Sequence, residues 1–352
     1  MNNFLIYGAT GFVGEAISRL AVERGMKPLL AARNTEKLKL LAEELGLDAY
    51  SFNLEDQVYL DKVLKKVKLV LHCAGPYIHT YKNMVDACLR NRVHYIDISG
   101  EISVYEAIAA LDNEAKNAGI MLLPGSGFDV APTDCMALYL QNELPAGNKL
   151  TLAFCSDGPA GLPPGTAKTA VELLPYGNRI RRNGQLIIPA EKMKSKYIDF
   201  GKGEVKATRL TWGDIFTAFH TTGIQNIEVY SVFSKSVVRL LKFMNLFNKV
   251  LIFPPVHNLL KKFRIKGSTK DERQQTKTSV WGELSDDVGN TIQCRMHGPE
   301  AGVEWTSDVA LLSTKKVLEG KFKPGYQTPA TAFGSDFVLD CEGVSRENIR
   351  WQ

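Results

Sequence analysis

The sequence predicts an α/β protein with a doubly wound parallel sheet in its first domain and a mixed α+β structure in its second. Up to Pro145, short apolar runs alternate with longer stretches whose apolar residues recur at helical spacing. This alternation is typical of a parallel sheet covered by helices on both faces. A glycine-rich turn also stands between the first apolar run and the first helical stretch. Beyond Pro145, strand-like runs continue with fewer helices between them.

Six apolar runs are predicted to be the strands of the parallel sheet. They are Phe4 to Tyr7, Pro28 to Ala32, Ala49 to Asn53, Leu69 to His72, Tyr95 to Asp97 and Ile120 to Leu123. Between the first two runs, Val13, Ile17 and Leu20 have the spacing of one helical face. Glycines stand where the helices are expected to end, because the residue after a helix often adopts a left-handed conformation.

The domain boundaries follow from the change of pattern. Residues 1–147 are predicted to form the first domain and residues 148–330 the second, which would bind substrate and mediate dimerisation. The last segment, residues 331–352, is predicted to return to the first domain. Strands of the second domain are predicted at Leu150 to Cys155, Val205 to Leu210, Asn226 to Phe233, Val280 to Leu284 and Thr291 to His297.

Composition and charge exclude several classes of protein. The 352 residues are 45% hydrophobic and 23% charged, which excludes a disulfide miniprotein or a disordered chain. A net charge of +5 is too small for a nucleic-acid partner without a concentrated patch. The six cysteines form no Cys-x-x-Cys pair and no zinc-ligand spacing with histidine, so we expect reduced thiols and no metal site. No uninterrupted apolar run reaches the roughly 18 residues of a spanning helix, and a cytoplasmic protein is predicted.

The glycine-rich turn indicates a dinucleotide-binding Rossmann domain. Gly8-Ala9-Thr10-Gly11-Phe12-Val13-Gly14 follows a predicted strand and opens a predicted helix. The first glycine permits the tight turn, the second lets the backbone approach a pyrophosphate, and the third lets helix and strand pack closely. The cofactor-binding residues predicted here are Gly8, Thr10, Gly11, Phe12, Val13 and Gly14.

The end of the second strand favours NADP(H) over NAD. A chain that binds NAD places an acid about 20 residues after the turn, where it binds the ribose 2′-hydroxyl. No acid occurs between Glu23 and Glu36, and the strand ends with Arg33. A guanidinium there can pair with the 2′-phosphate through two donors. The alternative is that Arg33 only extends into solvent from the end of a strand.

Candidates for proton transfer follow the later strands of the sheet. The carboxyl ends of parallel strands are where an open α/β sheet binds its ligand. Small residues Ala74 and Gly75 follow the fourth strand and would let the nicotinamide lie against the backbone. Tyr77 and Asp129 are the predicted proton-handling pair, although Tyr77 could equally pack in the core and Asp129 cap a helix. The other candidates at these strand ends are His79, Asp97 and Glu101.

The same segments resemble the saccharopine dehydrogenase-like oxidoreductases. The matching stretches are Tyr7 to Gly14, Ala32 to Asn34, Ala74 to Tyr77, Tyr95 to Glu101, Pro124 to Asp134 and Thr328 to Gly334. The resemblance implies an NADP-dependent oxidoreductase with an N-terminal Rossmann domain. Saccharopine reductases have Gly-Leu-Asp-Pro-Gly-Ile-Asp-His where this chain has Gly-Phe-Asp-Val-Ala-Pro-Thr-Asp, so the Pro-Gly pair after Asp129 is missing. The chain looks closer to the branch that includes trans-acting enoyl reductases.

A basic apolar segment, residues 235–266, lies within a stretch from Val229 to Lys270 that contains nine bases and no acid. On a helical wheel Arg239, Lys242 and Lys249 share one sector, and the remainder is largely apolar. Such a helix could contact a membrane surface peripherally, form a homodimer interface, or cover the pocket as a lid. An ordinary buried helix is the remaining alternative.

These observations predict an NADP(H)-dependent reductase that transfers hydride to a C=C or C=N bond of a small-molecule, lipid-like substrate. We expect a homodimer with no nucleic-acid partner. A non-catalytic, membrane-associated nucleotide-binding or sensor protein is the alternative function.

Overall fold

A computed structural model describes residues 4–161, 163–166, 178–190, 194–233 and 267–351 of the chain. The chain separates into two compact units. Unit 1 consists of Met1–Ala131 and Gly302–Phe333, and unit 2 of Pro132–Ala301 and Gly334–Gln352. The basic apolar segment, residues 235–266, lies outside the described residues.

The first part of unit 1 alternates strands and helices as predicted. Its strands are β1 Phe4–Tyr7, β2 Leu29–Ala32, β3 Ala49–Ser51, β4 Leu69–His72, β5 His94–Asp97 and β6 Met121–Leu123. Its helices are α1 Phe12–Glu23, α2 Thr35–Leu45, α3 Gln57–Leu64, α4 Tyr81–Asn91, α5 Ile102–Ala109 and α6 Asp112–Ala118. A short 3₁₀ turn, Tyr77–His79, precedes α4. Each predicted strand of the parallel sheet is confirmed to within two residues at either end.

Unit 2 is a mixed α+β structure. Its elements up to residue 298 are α7 Ala131–Glu143, β7 Lys149–Asp157, β8 Ile180–Arg182, β9 Gln185–Ile187, β10 Ser195–Asp199, β11 Glu204–Leu210, α8 Asp214–Thr222, β12 Asn226–Ser231, α9 Lys270–Gln274, β13 Lys277–Ser285 and β14 Thr291–Gly298. A π-helical turn, Ala301–Trp305, follows β14. Three of the remaining described elements belong to unit 1: α10 Thr306–Leu318, β15 Gly325–Tyr326 and α11 Pro329–Phe333. The last three belong to unit 2: a 3₁₀ turn Phe337–Asp340, β16 Ser345–Arg346 and β17 Arg350–Trp351.

The sheet of unit 1 has seven parallel strands in the order β15-β6-β5-β4-β1-β2-β3. The order reverses beside β1, so the loops that follow β1 and β4 diverge at the carboxyl edge of the sheet and leave room for a ligand. One face is an apolar core that includes Ile6, Leu71 and Ile96 together with Leu311 of α10. Burial of this face fixes the strands that carry the loops.

The predicted domain boundaries are corrected in two places. Helix α7 belongs to unit 2, so the first boundary falls at Ala131 instead of residue 147. The segment that returns to unit 1 is Gly302–Phe333, whereas 334–352 belongs to unit 2, so the prediction for residues 331–352 is wrong beyond Phe333. The physical reason is that α10 packs its apolar residues on the core of unit 1 and β15 extends its sheet, while β16 and β17 pair with β14.

The main sheet of unit 2 runs in the order β10-β11-β12-β7-β13-β14-β16. Only the β12–β7 pair along this path is parallel. Its core includes Phe200, Tyr230 and Trp281. All six cysteines are free thiols. In the described part of the chain, no helix combines the length and the apolar character needed to cross a bilayer.

Candidate functional site

In the turn after β1, backbone segments pack so closely at Gly8 and Gly14 that a side chain at either position would collide with backbone atoms. Gly8 has φ +90° and its amide donates to the carbonyl of Ala31 at 2.7 Å. A Cβ on Gly8 would lie 2.8 Å from the backbone of Ala74, and a Cβ on Gly14 would overlap the carbonyl oxygen of Gly8. Only glycine therefore fits at both positions, as the sequence predicted.

Helix α1 begins directly at this turn. Its N-cap is Gly11, which has no side chain to satisfy the helix N terminus, so the positive end of the helix dipole is available to an anion. The acid of the first turn, Glu15, is paired with Arg19 at 2.9 Å and does not leave an uncompensated charge there. Gly11 and Phe12 are exposed, and Thr10 and Val13 are partly buried. The predicted residues thus form one continuous turn at the N terminus of α1, where a dinucleotide-binding domain is expected to hold a pyrophosphate.

Arg33 is exposed at the end of β2. It precedes Asn34, whose side chain accepts from the amide of Lys37 at 2.9 Å and so starts α2. The hydroxyl of Ser51 donates to the carbonyl of Arg33 at 3.4 Å and lies 2.8 Å from that of Thr35. Two hydroxyls therefore lie at the loop that carries Arg33, where a 2′-phosphate is expected. Sequence reasoning missed both, and Ser51 could not be placed here from sequence because it reaches this loop through the pairing of β3 with β2.

The positive charge of Arg33 affects the pKa of Tyr7, the last residue of β1. Burial raises the pKa of the Tyr7 phenol to about 12, and the nearby positive charge of Arg33 only partly opposes this effect. Tyr7 is therefore neutral, and its hydroxyl donates to the carbonyl of Phe52 at 3.3 Å. Because the Tyr7 phenol is neutral, it offers no negative charge to the Arg33 guanidinium.

The loop after β4 places Ala74 and Gly75 beside the glycine turn. Ala74 contacts the position that a Gly8 side chain would take, and Gly75 is exposed. The hydroxyl of Thr80 donates to the Ala74 carbonyl at 2.7 Å and lies 3.1 Å from the Nε2 atom of His72. The peptide bond between Gly75 and Pro76 is cis. Small residues and a fixed loop thus adjoin the turn, as the nicotinamide would require.

Tyr77 is placed as a packing residue. Its side chain is buried, its ring packs edge-on against His72 at 5.4 Å, and its hydroxyl donates to the His72 carbonyl at 3.2 Å. Burial raises the pKa of the phenol well above its usual value. The geometry therefore disfavours Tyr77 as a proton donor, and its role in catalysis stays a prediction. His79 is exposed on the 3₁₀ turn.

Three carboxyls lie at the ends of β5 and β6 and are here called the carboxyl cluster. Asp97 is the last residue of β5, Glu101 lies in the loop after it, and Asp129 lies in the loop after β6. The two oxygens of Asp97 accept from the Tyr95 hydroxyl at 2.7 Å and from the amides of Ser99 and Gly125 at 2.9 and 2.8 Å. Asp97 is fully buried, and burial raises its pKa. Because its oxygens are occupied by these donors, Asp97 joins the loops after β5 and β6 and is not available to a substrate.

Glu101 joins a different pair of loops. Its side chain is buried, and its oxygens accept from the amides of Tyr77 and Gly100 at 3.0 and 2.9 Å. Glu101 therefore ties the loop after β4 to the loop after β5. Burial raises its pKa, and the two amide donors oppose that shift.

Asp129 is the partly exposed member of the carboxyl cluster. Burial and, as the smaller cause, the negative charge of Glu101 together raise its pKa to about 7. Its carboxyl lies against Gly100, because a Cβ on Gly100 would be 2.9 Å from Oδ2 of Asp129. A carboxyl with a pKa near neutrality can give or take a proton at physiological pH. Of the predicted proton-handling pair, Asp129 alone has these properties.

Comparison with known proteins finds a family for the first part of unit 1. The family model of the saccharopine dehydrogenase NADP-binding domain matches residues 4–123. The predicted resemblance to saccharopine dehydrogenase-like oxidoreductases and the choice of NADP(H) are confirmed. The glycine turn and the β2–α2 junction that carries Arg33 both lie inside this NADP-binding domain.

Relatives extend the similarity beyond the NADP-binding domain. A saccharopine dehydrogenase-like oxidoreductase of Mus musculus is 31% identical over an alignment of 193 residues, gaps included, and the match covers 48% of this chain and 45% of that protein. A putative trans-acting enoyl reductase of Mycobacterium tuberculosis is 27% identical over an alignment of 184 residues, and the match covers 49% of this chain and 44% of that protein. The chain thus spans about half the length of the curated relatives it matches. Apo saccharopine dehydrogenase (L-Glu forming) from Saccharomyces cerevisiae has the same fold, with a TM-score of 0.69 over 100% of both chains at 15% identity.

Proposed function

We propose that the chain is an NADP(H)-dependent reductase that reduces a C=C or C=N bond of a small-molecule, lipid-like substrate, with Asp129 handling the proton. The observation that carries the proposal is the placement of Asp129 at the carboxyl edge of the same sheet that holds the glycine turn. The name of the mycobacterial relative, an enoyl reductase, supports a C=C acceptor.

Each group of residues has a defined task in this proposal. Gly8, Gly11 and Gly14 form the pyrophosphate turn, and Arg33 with Thr35 and Ser51 would hold the 2′-phosphate. Ala74 and Gly75 leave space for the nicotinamide. When bound, NADPH supplies a hydride, which carries two electrons to one atom of the double bond.

The second atom of the double bond must gain a proton for the reduction to balance. Asp129 would give the proton from its carboxyl to that carbon or nitrogen and become a carboxylate, which solvent then protonates. Its pKa of about 7 suits both halves of this cycle, because neither the acid nor the carboxylate is strongly disfavoured near neutral pH.

The test is the loss of NADPH absorbance with a panel of enoyl and imine compounds. We expect turnover of at least one compound, and a loss of turnover in Asp129→Asn with NADPH binding unchanged. Tight NADPH binding without turnover on any compound would instead favour the non-catalytic nucleotide-binding or sensor protein. Absence of NADPH binding would reject both.

We also propose a homodimer, with the basic apolar segment contacting a second copy, the pocket or a membrane surface. Sedimentation with anionic liposomes separates contact with a membrane surface from the other two cases. Double substitution Phe243→Glu and Leu246→Glu should abolish sedimentation if the segment binds membrane. If it holds the dimer, the same substitutions should yield a monomer on analytical ultracentrifugation without liposomes.

A further inference from the structure

Glu101 lies between the loop expected to adjoin the nicotinamide and the proposed proton donor. It is 2% exposed although it is a carboxylate, a class of side chain that is almost never buried unless it is partnered. Its partners are two backbone amides, that of Tyr77 at 3.0 Å and that of Gly100 at 2.9 Å. One buried side chain therefore fixes both loops.

Gly100 connects Glu101 to Asp129. The Gly100 amide donates to Glu101, and the Gly100 Cα faces the Asp129 carboxyl so closely that a Cβ would come within 2.9 Å of Oδ2. A residue without a side chain is thus needed for the Asp129 carboxyl to lie where it does. The two carboxyls are held on either side of one backbone residue.

The hydrogen bonds of Glu101 bear on which of its two forms, acid or carboxylate, is the more stable. Both oxygens of Glu101 accept from amides, and acceptance of such bonds favours the ionised form. Two neighbouring carboxyls in a buried site do not both ionise readily, so the charge on Glu101 favours a proton on Asp129. The other ionisable groups facing the pair are Asp97 and the phenols of Tyr77 and Tyr105, and the Tyr105 hydroxyl donates to the Ser99 carbonyl.

We propose that Glu101 is a positioning residue, which keeps the neighbouring Asp129 carboxyl protonated near neutral pH and at the same time locks the loop of Ala74 and Gly75 to the loop of Gly100. This inference rests on the proposed function of Asp129 as a proton donor. It adds the source of the proton affinity and a physical link between the proton donor and the cofactor loop.

The test measures the titration of Asp129 directly and needs no substrate. Protein labelled with ¹³C at the aspartate side-chain carboxyls is titrated by NMR, and the Asp129 signal is assigned by its loss in Asp129→Asn. We expect a midpoint near 7 in the unaltered protein, as the raised pKa of Asp129 predicts. Glu101→Gln should lower this midpoint by about one unit or more, because it removes the adjacent charge.

Glu106→Gln is the matched control. It removes the same charge at an exposed position of α5, the helix whose N-cap residue is Glu101, and the Asp129 midpoint should stay in place. An Asp129 midpoint that is unchanged in Glu101→Gln, or one near 4 in the unaltered protein, overturns the proposal.

The order of titration can also be measured in the unaltered protein if Glu101→Gln does not fold. In glutamate-labelled protein, Glu101 should titrate at a lower pH than Asp129 does in aspartate-labelled protein, because Glu101 must carry the charge while Asp129 keeps its proton. A Glu101 midpoint above that of Asp129 rejects the proposal. Failure of the proposed function is recognised separately. It would appear as absent NADPH binding or absent turnover while the two carboxyls still titrate as a coupled pair.

Discussion

The glycine turn and the carboxyl cluster lie at the same edge of the sheet in unit 1, but they are built in opposite ways. The glycine turn consists of backbone, and its shape depends on side chains that are missing at Gly8 and Gly14. The carboxyl cluster consists of side chains, and the oxygens of its two buried members, Asp97 and Glu101, accept from backbone amides. Atoms added at Gly8 or Gly14 meet backbone, whereas an isosteric change in the carboxyl cluster keeps the packing and alters charge and hydrogen bonding.

The largest effect is expected from Gly14→Ala. Its Cβ would overlap the carbonyl oxygen of Gly8, and neither backbone segment can move without shifting α1 or β1. We expect NADPH binding to weaken at least about 100-fold, or ~3 kcal/mol, since overpacking against backbone has no flexible neighbour to relax. Isothermal titration calorimetry measures the loss. Gly161→Ala, where a Cβ meets nothing within 4 Å, should bind NADPH normally.

Arg33→Ala should have the next largest effect and should be selective. Loss of a charge-assisted hydrogen bond predicts NADPH binding weaker by about 10- to 100-fold. NADH binding should change little, because NADH has no 2′-phosphate. Fluorescence titration with both coenzymes measures the ratio. Lys39→Ala removes an exposed charge from the following helix and serves as the control. An equal loss for NADH and NADPH would contradict the role of Arg33.

This contrast explains what the sequence could and could not predict. The glycine turn is encoded within seven consecutive residues, so its place and chemistry followed from spacing alone. Each of the six predicted strands of the sheet was likewise indicated by a short run of consecutive apolar residues. The two-residue strand β15 and the packing of α10 on unit 1 depend on pairings across nearly the whole chain, with no local pattern to indicate them.

Side-chain roles in the carboxyl cluster were equally hard to foresee. Sequence reasoning placed Asp97, Glu101 and Asp129 at strand ends and chose Asp129 for proton handling, but it could not foresee that backbone amides occupy the oxygens of Asp97 and Glu101. Tyr77 illustrates the same limit. Its phenol was paired with Asp129, yet its hydroxyl is engaged by a backbone carbonyl of its own loop.

Asp129→Asn should change the pH dependence of stability. The folded-state pKa is raised from 3.8 to about 7, so the folded protein holds a proton that the unfolded chain releases between those values. Stability contributed by this group is therefore present at low pH and is lost as the pH rises from about 4 to about 7.

The asparagine variant is neutral at every pH and removes this loss. We expect Asp129→Asn to be more stable than the unaltered protein at pH 8 by about 1 to 3 kcal/mol, and to differ little at pH 4. Urea denaturation at both pH values measures the difference. Asp271→Asn, at an exposed position on α9, should show no such pH-dependent gain. Equal effects of Asp129→Asn at the two pH values would mean that Asp129 titrates as an ordinary carboxyl.

Tyr77→Phe should have the smallest effect, and it distinguishes packing from proton transfer. The substitution removes one hydroxyl that donates to the His72 carbonyl at 3.2 Å and keeps the ring that packs on His72. We expect a loss of about 0.5 to 1.5 kcal/mol of stability in urea denaturation, the usual worth of one neutral hydrogen bond. Tyr197→Phe, at a tyrosine that is 64% exposed, should leave the stability unchanged.

The turnover rate tests whether Tyr77 takes part in proton transfer. If Tyr77 has only a packing role, turnover of an accepted substrate by Tyr77→Phe will stay within about 2-fold of the unaltered protein, which corresponds to a change of less than ~0.5 kcal/mol in the activation barrier. A loss of several hundred-fold with unchanged stability would restore Tyr77 as a proton donor and would require its loop to open when substrate binds.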